Sequence, residues 1–253
     1  MRKTVFITGA TAGIGEACAK KFASMGYQII ITGRRKKRLD KLAAMLEKDF
    51  RTAALPLVLD VRDKARVKAM IGSLPDDWNS IDVLINNAGL ALGLDHFHEG
   101  SEDDWDVMID TNIKGLLYVG RAVAQLMVSQ GYGHIINIGS IAGKEVYPKG
   151  NVYSATKHAV DAITKGMRLD LLGKGIRVSQ LAPGAVETEF SMVRFKGDEE
   201  RAARVYRDYI PLKAEDIAEV AYFVTTLPPH VNINDVVIMP ADQANAVMFD
   251  KKK

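Results

Sequence analysis

Short apolar runs alternate with longer amphipathic stretches along this 253-residue chain. The apolar runs are rich in β-branched residues and cover residues 5–8, 29–32, 55–59, 83–85, 135–138, 176–181 and 236–239. Helical spacing fills residues 13–25, 36–49, 63–72, 103–130, 152–173 and 215–227. Strands that are apolar on both faces are typical of a parallel sheet covered by helices on both sides. The pattern therefore predicts an α/β fold with a doubly wound parallel sheet of about seven strands.

Nothing in the sequence divides the chain into separate domains. No Pro-, Gly- or Ser-rich linker, repeat or low-complexity segment interrupts the alternation, so we expect residues 1–253 to form a single domain. The stretch 185–210 follows a predicted strand and a Pro183-Gly184 turn, and it is long and rich in charge. Long insertions at this place in α/β sheets commonly cover a substrate. We therefore expect a substrate lid at about 185–210.

Composition and charge exclude several classes of protein. Hydrophobic residues make up 47% of the chain and charged residues 26%, as in an ordinary globular protein. The net charge of +3 is small, and the basic clusters at 34–38 and 251–253 lack interleaved aromatic residues, so no nucleic-acid partner is expected. No apolar stretch has the length of a signal peptide or a membrane span, so no membrane partner is expected either.

The chain has one cysteine, Cys18, within a helical stretch. A single cysteine excludes an internal disulfide and fits a reducing compartment. We interpret Cys18 as a small apolar residue on a helix rather than a reactive thiol, and we expect a cytoplasmic protein.

A glycine-rich turn joins the first predicted strand to the first predicted helix, with the spacing G-x-x-x-G-x-G. Glycines let the backbone approach a phosphate, and a helix N-terminus offers free N–H groups. This spacing differs from the G-x-G-x-x-G dinucleotide fingerprint, and a turn that binds nothing is the alternative. The candidate phosphate-binding residues are Gly9, Thr11, Ala12, Gly13, Ile14 and Gly15.

The end of the second predicted strand indicates which dinucleotide would bind. A site for NAD usually has an acidic residue there, which bonds the adenosine ribose. This chain instead has Arg34 and Arg35, followed by Arg38. Guanidiniums bind phosphate oxygens in a bidentate manner, so these arginines favour the 2′-phosphate of NADP(H). A solvated helix start is the alternative interpretation.

Tyr153 and Lys157 are four residues apart in a predicted helix, and so lie on the same helix face. An ammonium charge beside a phenol favours phenolate and is expected to lower the tyrosine pKa, which suits proton transfer. Tyr209 and Lys213 have the same spacing, but Pro211 lies between them and disfavours a helix.

Taken together, the motifs resemble those of the short-chain dehydrogenase/reductase family. They occur in the family's order over essentially the whole chain: Thr8-Gly9-x-x-x-Gly13-x-Gly15, Asn86-Asn87-Ala88-Gly89, Asn112, Ser140, Tyr153-x-x-x-Lys157 and Pro183-Gly184. The resemblance implies a single-domain Rossmann fold and an NADP(H)-dependent oxidoreductase that reduces a carbonyl or oxidises an alcohol.

The resemblance also implies a role for each of four catalytic residues. Ser140 would hydrogen-bond the substrate oxygen, and Tyr153 would be the general acid and base. Lys157 would lower the phenol pKa and hold the nicotinamide ribose, and Asn112 would anchor a water of the proton relay. Taken singly, each has a structural alternative, such as a turn cap for Ser140 or a surface pair for Tyr153 and Lys157.

Further cofactor contacts are implied at the ends of later strands. Asp60 and Val61 would lie beside the adenine, although Asp60 could equally cap a helix. Val186 and Thr188 would bond the nicotinamide carboxamide. The implied set is completed by Asn87, Ala88, Gly89, Pro183 and Gly184.

Much of the second half is similar to one subgroup, the NADP-dependent 3-hydroxy acid dehydrogenases that oxidise serine and allo-threonine. The matching stretches are residues 108–118, 188–198 and 231–235. The implied substrates are serine, allo-threonine or acids like 3-hydroxyisobutyrate, with Ser140 and Tyr153 at the reacting oxygen. Arg194 and Lys196 in the predicted lid are candidates for pairing with the substrate carboxylate, although a charged loop needs no ligand.

Two other functions remain open at this point. One is a general NADPH-dependent carbonyl or 3-oxoacyl-type reductase, and the other is a nucleotide-sensing module without turnover. His96 and His98 are too isolated to indicate a metal site, so no metal is expected. Apolar faces on the predicted helices 103–130 and 152–173, together with the family's habit of pairing them, lead us to expect a homotetramer.

Overall fold

The computed structural model describes residues 2–251, so Met1 and the last two lysines of the basic tail lie outside the described residues. The strands are β1 Thr4–Ile7, β2 Gln28–Gly33, β3 Ala54–Val58, β4 Val83–Asn86, β5 Gly133–Ile138, β6 Ile176–Pro183, β7 Val186–Glu187, β8 Leu212–Lys213 and β9 Asp235–Ile238. Seven of them form one parallel sheet in the order β3-β2-β1-β4-β5-β6-β9, and β7 pairs separately with β8. All seven predicted strands are confirmed. The order reverses direction between β1 and β4, which places a binding crevice at their carboxyl ends.

Helices cover both faces of this sheet. Their bounds are α1 Gly13–Ser24, α2 Lys36–Phe50, α3 Lys64–Gly72, α4 Glu102–Ile109, α5 Leu116–Gln130, α6 Asn151–Asp170, α7 Phe190–Arg194, α8 Glu199–Arg204 and α9 Ala214–Thr226. Because successive strand residues point to opposite faces, Val5 and Ile7 pack with α1, α2 and α9, whereas Phe6 packs with α3 and α5. The predicted doubly wound α/β Rossmann fold is confirmed.

The edge strands differ from the expectation of burial on both faces. Residues of β3 are half-buried, with Val58 exposed, and β9 alternates exposed and half-buried positions. Each edge strand has a neighbour on one side only, so its environment is less apolar than its composition suggests. Pro56 in β3 fits this position, because proline cannot donate a ladder hydrogen bond and is confined to edge strands or bulges.

The predicted helix 103–130 contains an irregular turn. Residues Asp110–Gly115 form a π-helical turn between α4 and α5. Such widened turns occur mostly as single turns inside α-helices and frequently at functional sites. This turn contains Asn112, whose side chain is buried. A pattern of apolar residues alone does not reveal such a turn.

The stretch 185–210, called the lid segment below, is not a plain loop. It contains β7, α7 and α8, and β8 follows it.

On the first helix, Cys18 is buried, and burial raises the pKa of its thiol to about 12. This confirms the interpretation of Cys18 as an inert core residue. Among the described residues, no helix is long and apolar enough to cross a membrane.

Candidate active site

A cleft of about 330 Å³ lies at the carboxyl ends of the central strands. Most of the predicted site residues line this cleft. The exceptions are Gly15, Arg38, Asn112, Arg194 and Lys196. Residues that sequence reasoning did not single out line it as well, among them Thr111, Glu189 and Phe190. The fold thus brings together residues that are spread over most of the chain.

The glycine-rich turn at the start of α1 has the backbone geometry of a phosphate cradle. Gly9 and Gly13 have φ values of 67° and 55°, in the left-handed region that favours glycine. A Cβ at Gly15 would lie 2.5 Å from the Gly9 carbonyl oxygen. Glycine is therefore needed at position 15 for packing within the turn, although Gly15 does not line the cleft. The N-cap residue Ala12 provides no side-chain cap to the first N–H groups of α1. These groups therefore remain available to an anion.

The cradle is fixed by contacts with the end of β4. Asn87 donates from Nδ2 to the carbonyl oxygens of Thr8, at 2.9 Å, and Gly9, at 3.2 Å. The Thr8 hydroxyl oxygen accepts from the backbone N–H groups of Asn87 and Ala88. Asn87 therefore holds the turn as well as lining the cleft.

The predicted 2′-phosphate residues lie at the rim of the cleft, which Arg34 and Arg35 line. Arg35 donates to Thr11 Oγ1 from Nε, at 3.0 Å, and from Nη2, at 2.8 Å. Glu189 of the lid segment forms ion pairs with Arg35 and with Arg38, which the structure places outside the cleft lining. No local pattern in the sequence indicates this acidic partner.

Asp60 lines the cleft but does not cap a helix. Arg62 donates from Nε to both carboxylate oxygens, and its hydrogen bonds hold the Asp60 pKa below its ordinary value despite partial burial. The cap of α3 is Asp63, which accepts from the Arg66 N–H. The cap alternative for Asp60 is therefore wrong. Val61 is buried, and its Cγ2 lies 2.5 Å from the position that a Cβ on Gly115 would take.

Ser140, Tyr153 and Lys157 all line the cleft. The Ser140 hydroxyl oxygen accepts from the Ala142 N–H at 3.1 Å. Ser140 thus caps its own turn, and it lines the cleft together with Tyr153. Lys157 Nζ donates to the Ile138 carbonyl oxygen at 2.9 Å and lies 5.9 Å from the Tyr153 ring centroid.

The expected lowering of the Tyr153 pKa by Lys157 is wrong for this arrangement. Burial raises the Tyr153 pKa above its ordinary value and outweighs the lowering by the neighbouring Ser140 and by the Arg194 charge. Burial also lowers the pKa of Lys157 to about 8. Helical spacing predicted the proximity of the two side chains, but not that both would be desolvated.

Asn112 uses its side chain to hold the segment after β4. Its Oδ1 accepts from the Leu90 N–H at 2.9 Å, and its Nδ2 donates to the Leu90 carbonyl oxygen and to Thr156 Oγ1. Oδ1 would also lie 3.2 Å from a Cβ on Gly89, which lines the cleft. These contacts place Asn112 behind the cleft wall.

The second tyrosine and lysine pair has no such setting. Tyr209 packs against Phe249 and donates to the Val205 carbonyl oxygen at 3.0 Å, and burial raises its pKa to about 12. Lys213 is exposed in β8. The structure therefore separates this pair from the cleft, as Pro211 suggested.

A smaller cavity adjoins Tyr153 and is also lined by Arg194. The Arg194 guanidinium donates to the Gly93 carbonyl oxygen at 3.1 Å and to the Tyr147 hydroxyl at 2.8 Å. Its centre lies 5.7 Å from the Tyr153 ring centroid. No acidic side chain among residues 2–251 forms an ion pair with Arg194.

Lys196 does not line this cavity, although its ion-pair partner Asp104 does. Its Nζ pairs with Asp104 at 2.8 Å, and its side chain remains largely exposed. Sequence reasoning treated Arg194 and Lys196 as equivalent, whereas the fold directs only Arg194 towards Tyr153.

The sequence model of the short chain dehydrogenase family matches residues 3–199 of the chain. The chain belongs to this family. A short-chain dehydrogenase named NADP-dependent 3-hydroxy acid dehydrogenase YdfG, from Salmonella typhi, is 51% identical over 96% of both proteins. Sulfoacetaldehyde reductase 2 of Chromohalobacter salexigens is 46% identical, again over 96% of both. The solved closed form of serine dehydrogenase complexed with NADP+ superposes with a TM-score of 0.93 and 46% identity, covering 99% of this chain and 100% of the other.

The cleft of this short-chain dehydrogenase fits a dinucleotide. The uncapped N-terminus of α1 and the left-handed Gly13 suit a pyrophosphate, and the arginines that begin α2 suit a further phosphate. The cleft is also lined by a buried tyrosine and a buried lysine. Such an arrangement can move a proton beside an oriented cofactor.

Proposed function

We propose that the protein is an oxidoreductase that uses NADP(H) to interconvert a small 3-hydroxy acid and the corresponding carbonyl compound. The observation that carries the substrate class is Arg194, a guanidinium without an acidic partner among the described residues, beside the candidate catalytic Tyr153. The relatives named for 3-hydroxy acids, serine and sulfoacetaldehyde all point to small substrates, with an anionic group in each case.

NADP(H), when bound, supplies the hydride chemistry. We assign its phosphates to the glycine-rich turn and its 2′-phosphate to Arg34 and Arg35, at the rim of the cleft. Lys157 would hold the nicotinamide ribose hydroxyls, and Val186 and Thr188 the carboxamide. Supporting this placement, these residues line one continuous cleft from the arginines to Tyr153.

Tyr153 is assigned as the group that gives a proton to the substrate oxygen in reduction and takes it back in oxidation. Ser140 lines the cleft together with Tyr153 and is assigned to donate to the same substrate oxygen. Lys157 has a pKa of about 8, so its ammonium is close to its own titration at neutral pH and can pass a proton on. Asn112 would support this relay by fixing the backbone at Leu90.

Arg194 is assigned to the substrate carboxylate. Its contacts with the Gly93 carbonyl oxygen and the Tyr147 hydroxyl use two of its N–H groups and fix the guanidinium plane. The remaining donors can bind a carboxylate, and that pairing in a half-buried site is stronger than on an open surface. Lys196, paired with Asp104, is not assigned to the substrate.

A spectrophotometric panel tests this function. Serine, allo-threonine and 3-hydroxyisobutyrate are offered with NADP and with NAD, and neutral alcohols, aldehydes and dicarbonyls of similar size are run beside them. We expect turnover of the acids with NADP. Faster turnover of the neutral compounds would support a general carbonyl reductase, and no turnover of any compound would support a nucleotide sensor.

We further propose that the lid segment covers the substrate, that the protein is a homotetramer, and that it is cytoplasmic. Arg194 on the lid segment supports the first. Exposed apolar side chains support an interface between copies, and they include Val128 on α5, Leu169 at the end of α6 and Leu172 just beyond it. The single cysteine fits a reducing compartment. Light scattering on a size-exclusion column measures the assembly.

A further inference from the structure

Glu189 links the lid segment to the cationic start of α2. Its Oε2 lies 2.8 Å from Arg35 Nη1, and its Oε1 lies 2.6 Å from Arg38 Nη1. Partial burial acts to raise the Glu189 pKa, but hydrogen bonds from the two guanidiniums outweigh it and hold the pKa below its ordinary value. The carboxylate is therefore charged at neutral pH.

The backbone holds Glu189 over the glycine-rich turn. A Cβ on Gly13 would lie 3.2 Å from the Thr188 side chain, so the chain after β7 crosses directly above the turn. Thr188 and Glu189 both line the cleft. The carboxylate thus reaches the rim at which Arg35 also lines the cleft.

The cofactor's 2′-phosphate and this carboxylate need the same donors. Arg35 already gives N–H groups to Thr11 and to Glu189. Carboxylate and phosphate oxygens both bind guanidinium in the same bidentate manner, so each excludes the other from a given N–H group. A carboxylate beside a phosphate also repels it.

We propose that Glu189 is a cofactor-specificity residue that restrains the preference for NADP(H) over NAD(H). A dinucleotide without the 2′-phosphate leaves both ion pairs of Glu189 intact. NADP(H) takes Arg35 from Glu189 and places its phosphate beside the carboxylate. The inference rests on the proposed placement of the 2′-phosphate at Arg34 and Arg35, and it is independent of the substrate.

The test measures dissociation constants of NADPH and NADH by their fluorescence for the wild type and three variants. Glu189→Gln keeps the size of the side chain and removes its charge. We expect it to bind NADPH about three- to tenfold more tightly, because NADPH then neither displaces the partly exposed Glu189–Arg35 ion pair nor places its phosphate beside a carboxylate, and to leave NADH binding within about twofold of the wild type. The gain should shrink at high salt, which screens exposed charges.

Glu187→Gln is the matched control, because Glu187 is exposed, is two residues away and forms no ion pair among residues 2–251. Its affinities should equal those of the wild type. Arg35→Met tests the placement itself and should weaken NADPH binding more than NADH binding.

Three results would overturn the proposal. If Glu189→Gln binds NADPH no more tightly than the wild type does, Glu189 does not compete with the 2′-phosphate for Arg35. If the variant binds NADPH and NADH more tightly by the same factor, Glu189 does not affect cofactor specificity. If Arg35→Met weakens NADPH binding in either case, only Glu189 loses its assignment. NADPH binding unaffected by Arg35→Met would overturn the phosphate placement together with the role of Glu189.

Discussion

The proposed catalytic residues, called the sheet end of the site below, are held by the core, whereas the proposed carboxylate-binding residue Arg194, called the lid end, lies on the lid segment. Tyr153 and Lys157 are buried on a 20-residue helix that packs against the core, and Lys157 bonds the backbone at the end of β5. Arg194 instead ends a five-residue helix and is held by one hydroxyl and one carbonyl oxygen. Rigid elements place groups that must be accurately positioned for any substrate, and short irregular segments can change with the substrate.

This difference predicts that changes at the sheet end stop the chemistry, and that changes at the lid end alter substrate recognition.

The largest expected effect is that of Tyr153→Phe. Removing the hydroxyl takes away the proposed proton donor, so kcat should fall by about a thousandfold or more. The phenyl ring still fills the buried site, so the affinity for NADPH and the melting temperature should stay close to the wild type. Wild-type turnover in this variant would end the assignment of Tyr153 as general acid and base.

A smaller effect is expected for Arg194→Met. Loss of the guanidinium should raise KM for a 3-hydroxy acid by about 10- to 100-fold, since a charge-assisted hydrogen bond to a carboxylate contributes about 1.5–3 kcal/mol. A neutral aldehyde of similar size should be affected little, because it makes no such bond. Lys196→Met is the matched control, with a cation in the same segment that is directed to Asp104. If both variants behave alike, Arg194 has no special part in binding the acid.

The smallest effect concerns stability at the sheet end. Burial lowers the Lys157 pKa from 10.5 to about 8, so between these pH values the unfolded chain keeps a proton that the folded chain has released. Below about pH 8 the free energy of unfolding is therefore reduced by the full cost of burying the ammonium. This cost disappears as the pH rises towards the pKa of the lysine in the unfolded chain. The shift corresponds to a penalty of about 3 kcal/mol for burying the Lys157 ammonium. A variant without this amine avoids the penalty but also loses the hydrogen bond to the Ile138 carbonyl oxygen, which contributes about 1 kcal/mol.

At pH 7 the free energy of unfolding of Lys157→Met should therefore be about 2 kcal/mol higher than that of the wild type, although the variant loses activity. Denaturant unfolding at several pH values measures this difference, which should narrow between pH 8 and pH 10. The exposed Lys196→Met should show no comparable pH-dependent gain. A Lys157→Met protein less stable than the wild type at pH 7 would mean that the amine is better satisfied than its burial indicates.

The residues of the cofactor cleft were predicted more completely than those of the lid segment. The glycine spacing, Arg34 and Arg35, and the Tyr153-Lys157 spacing are local patterns, and the structure places all of them along one cleft. The π-helical turn at Asn112 escaped prediction, because its apolar pattern is that of an ordinary helix. The ion pair of Lys196 with Asp104 was not predicted, because the two residues are 92 positions apart in the sequence.

The α/β alternation, the phosphate turn and the side chains available for proton transfer can be read from the sequence, because they depend on periodicity and on residue type at short spacing. The charge environment of these side chains arises only when the chain folds. Folding buries Tyr153 and thereby raises its pKa, and it pairs Glu189 with Arg35 across 154 positions of the chain. Desolvation and long-range ion pairs depend on which surfaces the folded chain packs together, and no local pattern encodes them.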